Sequence, residues 1–396
     1  MRAAILIGKA VYSLSRSLKI GGGSAAPGLY ALKIDANLVE KLAKSIPKNI
    51  VITGTNGKTT TSRMISHFAK ENDLKVIRNH TGSNLERGIA STLISNYQLL
   101  TTNYQLDLGI WELDEAAFNT VAPKLNPNIV IFLNVSRDQL DRYGEVDKVV
   151  NDWCSTLSKL NPQTAVLINQ DDKNLEKLEK YFKGKVVKFG KKNIKNIKLN
   201  GLKGSKFTIS NLQFTIPLPG LYHIYNATAA IIGAKLLNLP AKSFKDFSPA
   251  FGRVEKFEWG YIFLIKNPAG ATQVFETIAP ELKKNDRLLL ALNDNLADGT
   301  DVSWIWDANF EKLSTINYQL STTCSGTRAY DLANRLKYAG FSLDTSDVEQ
   351  NLEQAFKKAK KNLKGRLFIL PTYTAMLKLQ KILAKSGIKK HYWESD

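Results

Sequence analysis

The segment from Asn49 to Ile65 reads NIVITGTNGKTTTSRMI, and it constrains the fold more than any other part of the chain. A β-branched run leads into a glycine-rich loop, and residues with helical spacing follow it. This order is typical of a phosphate-binding loop, in which backbone N–H groups at a helix N-terminus surround phosphate oxygens. The usual pattern is G-x-x-x-x-G-K-[ST], whereas the spacing from Gly54 to Gly57 is shorter. The segment therefore predicts a strand, a shortened phosphate loop and a helix.

The residues of this loop have separate expected roles. We expect Lys58 to lie on an exposed loop and to reach the terminal phosphates of a nucleotide. Thr59 is expected to bind magnesium through its hydroxyl. An ordinary glycine-rich turn is the alternative interpretation. The predicted phosphate-binding residues are Gly54, Thr55, Asn56, Gly57, Lys58, Thr59 and Thr60.

Strand-like and helical segments alternate along most of the chain. Apolar runs such as DLGIWEL, NIVIFLNV and TAVLIN are separated by helical stretches such as VDKVVNDWCSTLSKL, which predicts a mostly parallel, doubly wound sheet. A second alternating set, including DRLLLALND and GRLFILP, predicts a smaller C-terminal α/β domain. We expect a helical, glycine-rich lead-in at 1–45, a nucleotide-binding domain at 46–252 and the C-terminal domain at 253–396.

Charge and cysteine content narrow the functional classes. The formal net charge of +19 favours anionic partners, although surface lysine that only aids solubility would give the same balance. The densest basic run, from Tyr181 to Phe207, contains no arginine cluster, so nucleic acid is not predicted as a partner. Cys154 and Cys324 lie far apart, which predicts neither a disulfide framework nor a zinc site. With no signal peptide or apolar span evident, we expect a cytoplasmic protein.

Polar side chains gather at two predicted strand ends. The stretch WELDEAAF puts Glu112 at the end of one strand, with Asp114 and Glu115 behind it, where a carboxylate can complete a magnesium site. The stretch LNVSRDQLDRYGEVD surrounds the end of the next strand, and a solvated loop with a helix cap is its alternative interpretation. Its polar residues are Asn134, Asp138, Gln139 and Asp141.

Together with the loop, three segments resemble the Mur ligase family, which joins amines to carboxylates with ATP. LINQDD, from Leu167 to Asp172, is similar to that family's LNADD segment. LPGLYHIYNATAA looks like its adenine-side segment, with Asn226 as the implied ring contact. FGRVE puts Arg253 at the family's domain-linker arginine, which approaches the ATP phosphates. The resemblance implies a Mur ligase-like ATPase domain that uses ATP and Mg²⁺.

The resemblance narrows to the MurT family, on stretches that run through most of the chain. These are GGGSAAPGLYALKIDANLVEKLA, RDQLDRYGE, LNDNLADGTDVSWIWDANFE and SGTRAYDLANRLKYAG. The resemblance implies amidation of the α-carboxylate of D-glutamate in the lipid II stem peptide to D-isoglutamine, through an acyl phosphate. A GatD-type glutaminase subunit is implied as the heterodimer partner that supplies ammonia. Asp301 is implied to complete a catalytic triad with the cysteine and histidine of that partner.

The chain also departs from the family pattern. Gln139 stands where other Mur ligases carry a metal-associated histidine. Thr59 and Glu112 are the expected magnesium ligands, and Gln139 is expected nearby as a neutral group. The region after Phe189 lacks the cysteines of the zinc ribbon common in MurT proteins, and zinc is therefore not predicted. The lysine run Lys183–Lys206 takes its place, and we expect this run to approach anionic lipid at the inner face of the membrane, or the lipid II pyrophosphate.

Other classes of function stay open at this point. A self-sufficient ligase of the folylpolyglutamate type fits the short segment before the loop, but the C-terminal motifs speak against it. A non-catalytic nucleotide-binding scaffold is disfavoured by the intact Lys58 and Thr59. A nucleic-acid-binding ATPase is disfavoured because helicase-like motifs are absent. Neither Cys154 nor Cys324 is expected to be a glutaminase nucleophile, so a second protein would have to release ammonia.

Overall fold

The computed structural model describes residues 1–17, 25–79, 83–101, 106–138, 145–249, 252, 254–314 and 319–388. The predictions made for Gln139, Asp141 and Arg253 lie outside the described residues. Among the helices of the described chain, none is long and apolar enough to cross a membrane.

The described strands form three sheets, and most helices connect consecutive strands. The strands are β1 (Lys48–Thr53), β2 (Val76–Arg78), β3 (Leu108–Glu112), β4 (Ile129–Phe132), β5 (Ala165–Asn169), β6 (Lys185–Phe189), β7 (Lys195–Leu199), β8 (Ser205–Ile209), β9 (Leu212–Ile216), β10 (Glu255–Phe257), β11 (Gly260–Ile262), β12 (Arg287–Ala291), β13 (Ser321–Ser325) and β14 (Leu367–Pro371). The α-helices are Arg2–Ser17, Ala26–Ile34, Leu38–Ala43, Lys58–Glu71, Glu86–Ser95, Tyr97–Thr101, Glu115–Leu125, Val146–Leu157, Leu178–Tyr181, Leu221–Leu236, Pro268–Ile278, Glu311–Ser314, Ala329–Tyr338, Leu352–Lys360 and Tyr373–Lys385.

The first sheet is parallel throughout and has the strand order β2-β3-β1-β4-β5-β6. Alternate residues of its central strands enter two different apolar cores, because successive side chains of a strand point to opposite faces. Ile50 and Ile131 lie in the core beneath the helices Lys58–Glu71 and Leu221–Leu236. Val51 and Val130 lie in the core on the other face. The predicted doubly wound parallel sheet is confirmed.

The second sheet forms a C-terminal α/β unit with the order β10-β11-β14-β12-β13. β10 and β11 make an antiparallel hairpin, and the other pairings are parallel, so the sheet is mixed. Since β10 begins at Glu255, we propose residue 253 as the start of this domain. The third sheet is the antiparallel meander β7-β8-β9. It contains much of the lysine run, and every residue of β7 is exposed.

The N-terminal segment is folded onto the first domain. The helix Arg2–Ser17 packs against Ala26–Ile34, which in turn packs against Glu86–Ser95. A Cβ atom at Gly8 would lie 2.7 Å from a side-chain carbon of Ile94, so these helices approach closely only because Gly8 has no side chain. The backbone N–H of Gly28 also donates a 2.8 Å hydrogen bond to the hydroxyl of Ser91.

Candidate active site

The glycine-rich loop joins β1 to the helix Lys58–Glu71 and is braced by the neighbouring strand end. The N–H of Thr55 donates a 3.0 Å hydrogen bond to the carbonyl of Asn134. The amide side chain of Asn134 accepts from the N–H of Asn56 at 2.9 Å and donates to the Asn56 carbonyl at 2.9 Å. Because β1 and β4 are adjacent, Asn134 at the end of β4 holds the loop backbone in one shape.

Glycine is required in this loop for steric reasons. Gly57 has a φ of 92°, and a Cβ atom there would lie 2.2 Å from the side-chain oxygen of Asn226. Gly54 has a φ of 132°, and its Cβ would meet the Asn134 carbonyl at 2.7 Å. The predicted ring contact, Asn226, therefore lies directly beside the loop, on the helix Leu221–Leu236. Thr60 is buried in the first turn of the loop helix.

Lys58 is buried, and the expectation that it lies on an exposed loop is wrong. It is only 7% exposed, and its Nζ donates to the carbonyl of Gly54 at 2.5 Å. The same atom lies 3.4 Å from a carboxylate oxygen of Glu115 and 3.7 Å from one of Asp114. Burial by itself lowers the pKa of Lys58, but the carboxylates of Glu115 and Asp114 outweigh it and raise the pKa above its usual value. Lys58 is therefore a buried, fixed cation.

Thr59 and Glu112 come together at the start of the loop helix. The Thr59 hydroxyl donates a 2.7 Å hydrogen bond to one carboxylate oxygen of Glu112, and the Ser62 hydroxyl donates to the other at 2.6 Å. Hydroxyl and carboxylate oxygens are donors that suit Mg²⁺, which commonly binds one or two carboxylates together with substrate phosphates. No cluster of three His, Cys, Asp or Glu side chains that could hold a metal by itself occurs among the described residues. The donors fit magnesium held jointly with phosphate, and this role stays a prediction.

A cavity of about 810 Å³ opens beside the loop. The hydroxyl of Tyr225 donates a 2.7 Å hydrogen bond to Asp171 on its wall, and burial together with this bond raises the pKa of Tyr225. From the LYHIYN segment, only Asn226 was predicted from the sequence to contact the nucleotide. Tyr222 and Tyr225 of the same segment, and Phe189 at the end of β6, were not predicted to line the site. The lining residues are Asn56, Gly57, Leu133, Asn134, Asn169, Asp171, Asp172, Lys173, Phe189, Leu199, Gly201, Gly220, Leu221, Tyr222, Tyr225, Asn226, Gln273, Glu276, Thr277, Pro280 and Glu281.

The loop also contacts the C-terminal domain directly. The side-chain amides of Asn56 and Asn267 exchange two hydrogen bonds, at 3.2 and 3.1 Å. Asn267 also donates to the buried Asp138 at 3.0 Å, and Lys266 forms a 2.9 Å ion pair with the same carboxylate. Sequence reasoning did not single out Lys266 or Asn267. The available signal was an Asn before Pro268, which is typical of a helix N-cap, and Asn267 does cap the helix Pro268–Ile278.

Three carboxylates of the segment ADGTDVSWIWD differ in how strongly they are held. Asp298 is buried and accepts two hydrogen bonds from Thr374, one of them at 2.8 Å from the backbone N–H. Asp307 forms a 2.5 Å ion pair with Arg137 of the first domain. Asp301 is exposed and accepts a 2.8 Å hydrogen bond from the Ser303 N–H, which lowers the pKa of Asp301. Its role with a partner stays a prediction.

Both cysteines are buried in apolar surroundings. Burial raises the pKa of Cys154, and it raises the pKa of Cys324 to about 12. A thiol with a raised pKa carries little thiolate near neutral pH, and the thiolate is the reactive form. Neither cysteine is therefore prepared to act as a nucleophile.

Two family profiles match the chain, one in the first domain and one in the C-terminal domain. The Mur ligase middle domain matches residues 52–234, and the MurT ligase C-terminal domain matches residues 264–376. Subunit MurT of the glutamine-hydrolyzing lipid II isoglutaminyl synthase of Streptococcus pneumoniae is 31% identical over 430 residues. That alignment covers 93% of this chain and 94% of the relative. The chain belongs to the MurT family.

A Staphylococcus aureus MurT subunit is 30% identical to this MurT-family chain over 420 residues, covering 92% of the chain and 93% of the relative. MurF from Acinetobacter baumannii has a TM-score of 0.67 at 15% identity, and the match covers 93% of this chain and 80% of the MurF chain. The Mycobacterium tuberculosis folylpolyglutamate synthase complexed with ADP and AMPPCP has a TM-score of 0.66 at 16% identity. That match covers 89% of this chain and 93% of the synthase chain. At these identities the two structures establish the Mur ligase fold, and family membership makes the chain a ligase.

Proposed function

We propose that this chain is the ATP-dependent synthetase subunit that amidates the α-carboxylate of D-glutamate in the lipid II stem peptide, which gives D-isoglutamine. The observation that carries the proposal is the match along nearly the whole chain to relatives named as subunits of lipid II isoglutaminyl synthase. The match includes the C-terminal domain, where amino-acid-adding Mur ligases would be expected to differ. The braced phosphate loop supports an active rather than a vestigial nucleotide site.

ATP is the proposed cosubstrate, and the cavity beside the loop suits it. The cavity of about 810 Å³ is large enough for a nucleotide, and pockets of this size commonly hold small molecules. The phosphates would lie on the loop from Gly54 to Thr60, and the base would lie near Asn226. A structural relative was solved with ADP and AMPPCP, which supports a nucleotide in this fold. Arg253 is retained as a further proposed phosphate contact.

Thr59 and Glu112 are the proposed ligands of Mg²⁺, with Gln139 nearby. A magnesium ion bound there would supply positive charge to phosphate oxygens. Ser62 orients one Glu112 oxygen, and Thr59 contacts the other. Since Lys58 is buried and hydrogen-bonded at its Nζ, its charge is already in place before substrate arrives.

Ammonia cannot displace an oxygen from a free carboxylate, because oxide is a poor leaving group. The proposed reaction therefore begins by phosphorylating the carboxylate. A carboxylate oxygen of the substrate attacks the γ-phosphorus of ATP, and ADP leaves, which produces an acyl phosphate. Ammonia then attacks the acyl carbon, loses a proton, and expels inorganic phosphate to leave the amide. Phosphoryl transfer depends mainly on positioning and charge neutralisation, which Lys58 and Arg253 are proposed to provide. Contacts between the loop and the C-terminal domain would help to exclude water from the acyl phosphate.

A GatD-type glutaminase is the proposed source of ammonia, in a heterodimer with this chain. The C-terminal domain, which contains Asp301, exposes the apolar side chains of Leu296, Trp306, Tyr330 and Tyr338, and the rings of Trp306 and Tyr338 lie 5.5 Å apart between centroids. Exposed aromatic clusters of this kind favour protein binding. Asp301 is the proposed triad carboxylate for the partner. We also propose a cytoplasmic location at the inner face of the membrane, where the lysine run could approach anionic lipid.

The function is tested by incubating the purified chain with ATP, Mg²⁺, ammonium chloride and lipid II, without any partner. We expect ADP formation and an amidated product, identified by mass spectrometry. Glutamine in place of ammonium should give no product until the glutaminase subunit is added. A product that appears only with an added amino acid would favour a folylpolyglutamate-type ligase. Absence of ATP turnover under all of these conditions would favour a nucleotide-binding scaffold.

A further inference from the structure

The helix Arg2–Ser17 has apolar side chains on both its inner and outer faces. Ala4, Ile5 and Gly8 are buried against the neighbouring helices. On the other side, Leu6 is 68% exposed and Leu14 is 61% exposed. A surface helix usually presents polar residues to water, so this outer face requires an explanation.

The exposed apolar residues follow helical spacing and share one face. Ala3, Ile7, Ala10 and Leu14 recur at intervals of three and four residues, and Leu6 lies beside them. Ile7 is 43% exposed. On the opposite face the helix packs so closely at Gly8 that a Cβ atom there would lie 2.7 Å from a side-chain carbon of Ile94. The apolar strip is therefore a fixed part of the folded surface.

The next helix, Ala26–Ile34, also has exposed apolar side chains. Leu29, Tyr30 and Ile34 of the helix Ala26–Ile34 are exposed, and Ala26–Ile34 packs directly against Arg2–Ser17. The first acidic residue of the chain is Asp35. Among the side chains that the structure describes before it, the cationic ones include Arg2, Lys9 and Lys33. The Asp35 carboxylate at the end of the second helix is paired with the N-terminal ammonium of Met1 at 3.0 Å and with Lys41 at 2.8 Å. Exposed apolar residues beside these cations are complementary to a lipid surface with negative headgroups.

We propose that the outer face of the helices Arg2–Ser17 and Ala26–Ile34 is a docking surface for an anionic lipid bilayer. Leu6, Ile7 and Leu14 enter the boundary between headgroups and acyl chains, and the helix Arg2–Ser17 lies in the plane of the surface. Tyr30 lies at the level of the headgroups, where amphipathic rings are favoured. This inference adds a specific apolar surface to the membrane location proposed above, and it does not depend on the amidation reaction. It also differs from contact through the lysine run, which is polar.

The experiment is sedimentation of the full chain with vesicles of phosphatidylcholine alone or mixed with phosphatidylglycerol. We expect binding to the mixed vesicles that falls as salt is raised. The double variant Leu6→Ser, Leu14→Ser should bind them at least about tenfold more weakly, because it removes the apolar contact while leaving the charges. Circular dichroism and the unfolding midpoint check that this variant is folded. The control is Leu296→Ser, which alters a leucine of the C-terminal domain that is still more exposed, at 86%, and should bind like wild type.

Three results would overturn the proposal. The wild-type chain could fail to bind either kind of vesicle. The folded double variant could bind as tightly as wild type, while Lys195→Gln, Lys198→Gln in the lysine run abolishes binding. Finally, the wild type could form dimers without lipid that the double variant does not form, in which case the occupant of this face is a second copy of the chain. Amidation of a soluble stem-peptide substrate should be unchanged in the double variant, so a failure here is separable from a failure of the proposed function.

Discussion

The hydroxyl of Thr59 donates a 2.7 Å hydrogen bond to the carboxylate of Glu112, a residue that is only 1% exposed. Ser62 holds the second oxygen of the same carboxylate at 2.6 Å. The backbone N–H of Glu112 is itself bonded to the side chain of Asn79 at 2.8 Å. Residues of β3, the loop helix and the end of β2 thus orient a single buried carboxylate towards the phosphate loop.

We expect Glu112→Gln to raise the Mg²⁺ concentration needed for half-maximal ATP turnover by about tenfold or more. The amide oxygen still accepts a hydrogen bond from one of the two hydroxyls of Thr59 and Ser62, and the amide NH₂ donates to the other, but the side chain no longer carries the charge that a hard cation prefers. The measurement is phosphate release as a function of Mg²⁺ concentration, with Zn²⁺ giving no benefit. Glu86→Gln is the matched control, since Glu86 is a partly exposed carboxylate paired with Lys124. Equal Mg²⁺ dependence in both variants would count against Glu112 as a ligand.

Lys58→Met should abolish ATP turnover and also destabilise the fold. Turnover should be lost because a charge-assisted contact to the transferring phosphoryl group is worth several kcal/mol, on the order of 10²- to 10³-fold in rate. Stability should fall by about 3–5 kcal/mol, because Glu115 is left buried without its cation. Urea unfolding measures the second effect. This loss of stability is expected because Lys58 is buried; the same substitution at an exposed loop lysine would not be expected to cause it.

The double variant Lys58→Met, Glu115→Gln separates these two effects. It should recover most of the lost free energy of unfolding while remaining inactive, since the buried carboxylate is neutralised but the phosphate contact is still absent. Lys188→Met, which removes the exposed pair with Glu179, serves as the control, with an expected cost below about 1 kcal/mol. If the double variant turned over ATP at the wild-type rate, the phosphate-binding role of Lys58 would be wrong.

Asp301→Asn should reduce glutamine-dependent amidation in the complex with the glutaminase and spare amidation driven by added ammonium. A neutral amide cannot hold the partner's histidine in the required tautomer, and such a change in a triad costs up to about 10⁴-fold. Product formation with each nitrogen source gives the two rates. Asp331→Asn, a change at another exposed carboxylate of this domain, should leave both rates unchanged. A parallel fall of both rates would assign Asp301 to the synthetase site or the fold, and no fall would transfer the role to Asp298 or Asp307.

Cys324 should resist alkylation in the folded chain. With its pKa raised to about 12 by burial, the thiolate appears only as the pH approaches that value. At about pH 8 the thiolate fraction is on the order of 10⁻⁴, so iodoacetamide should label Cys324 at least about 100-fold more slowly in buffer than in urea. Mass spectrometry of peptides measures the labelling. Rapid labelling of the native chain would reopen the question of a glutaminase nucleophile within this protein.

The local sequence pattern was sufficient to predict the loop and the central strands, because each of these is determined by residues that are neighbours in the sequence. NIVIT became β1, and the helix begins at Lys58, as the spacing predicts. The burial of Lys58 was not predictable in this way, because it depends on Glu115 from the start of another helix. Asn267 and Tyr225 were missed for the same reason. Their partners, Asn56 and Asp171, lie far away along the chain and are brought close only by the fold.

The paired amides of Asn56 and Asn267 have a mechanical consequence. Each amide both gives and accepts a hydrogen bond, so neither side chain can rotate without breaking the bond offered by the other. Asn56 is fixed to the end of β4 through Asn134, and Asn267 is fixed to the first turn of Pro268–Ile278. A change in the angle between the two domains therefore either breaks these two hydrogen bonds or displaces the phosphate loop, and a change in the shape of that loop acts on the C-terminal domain in the same way.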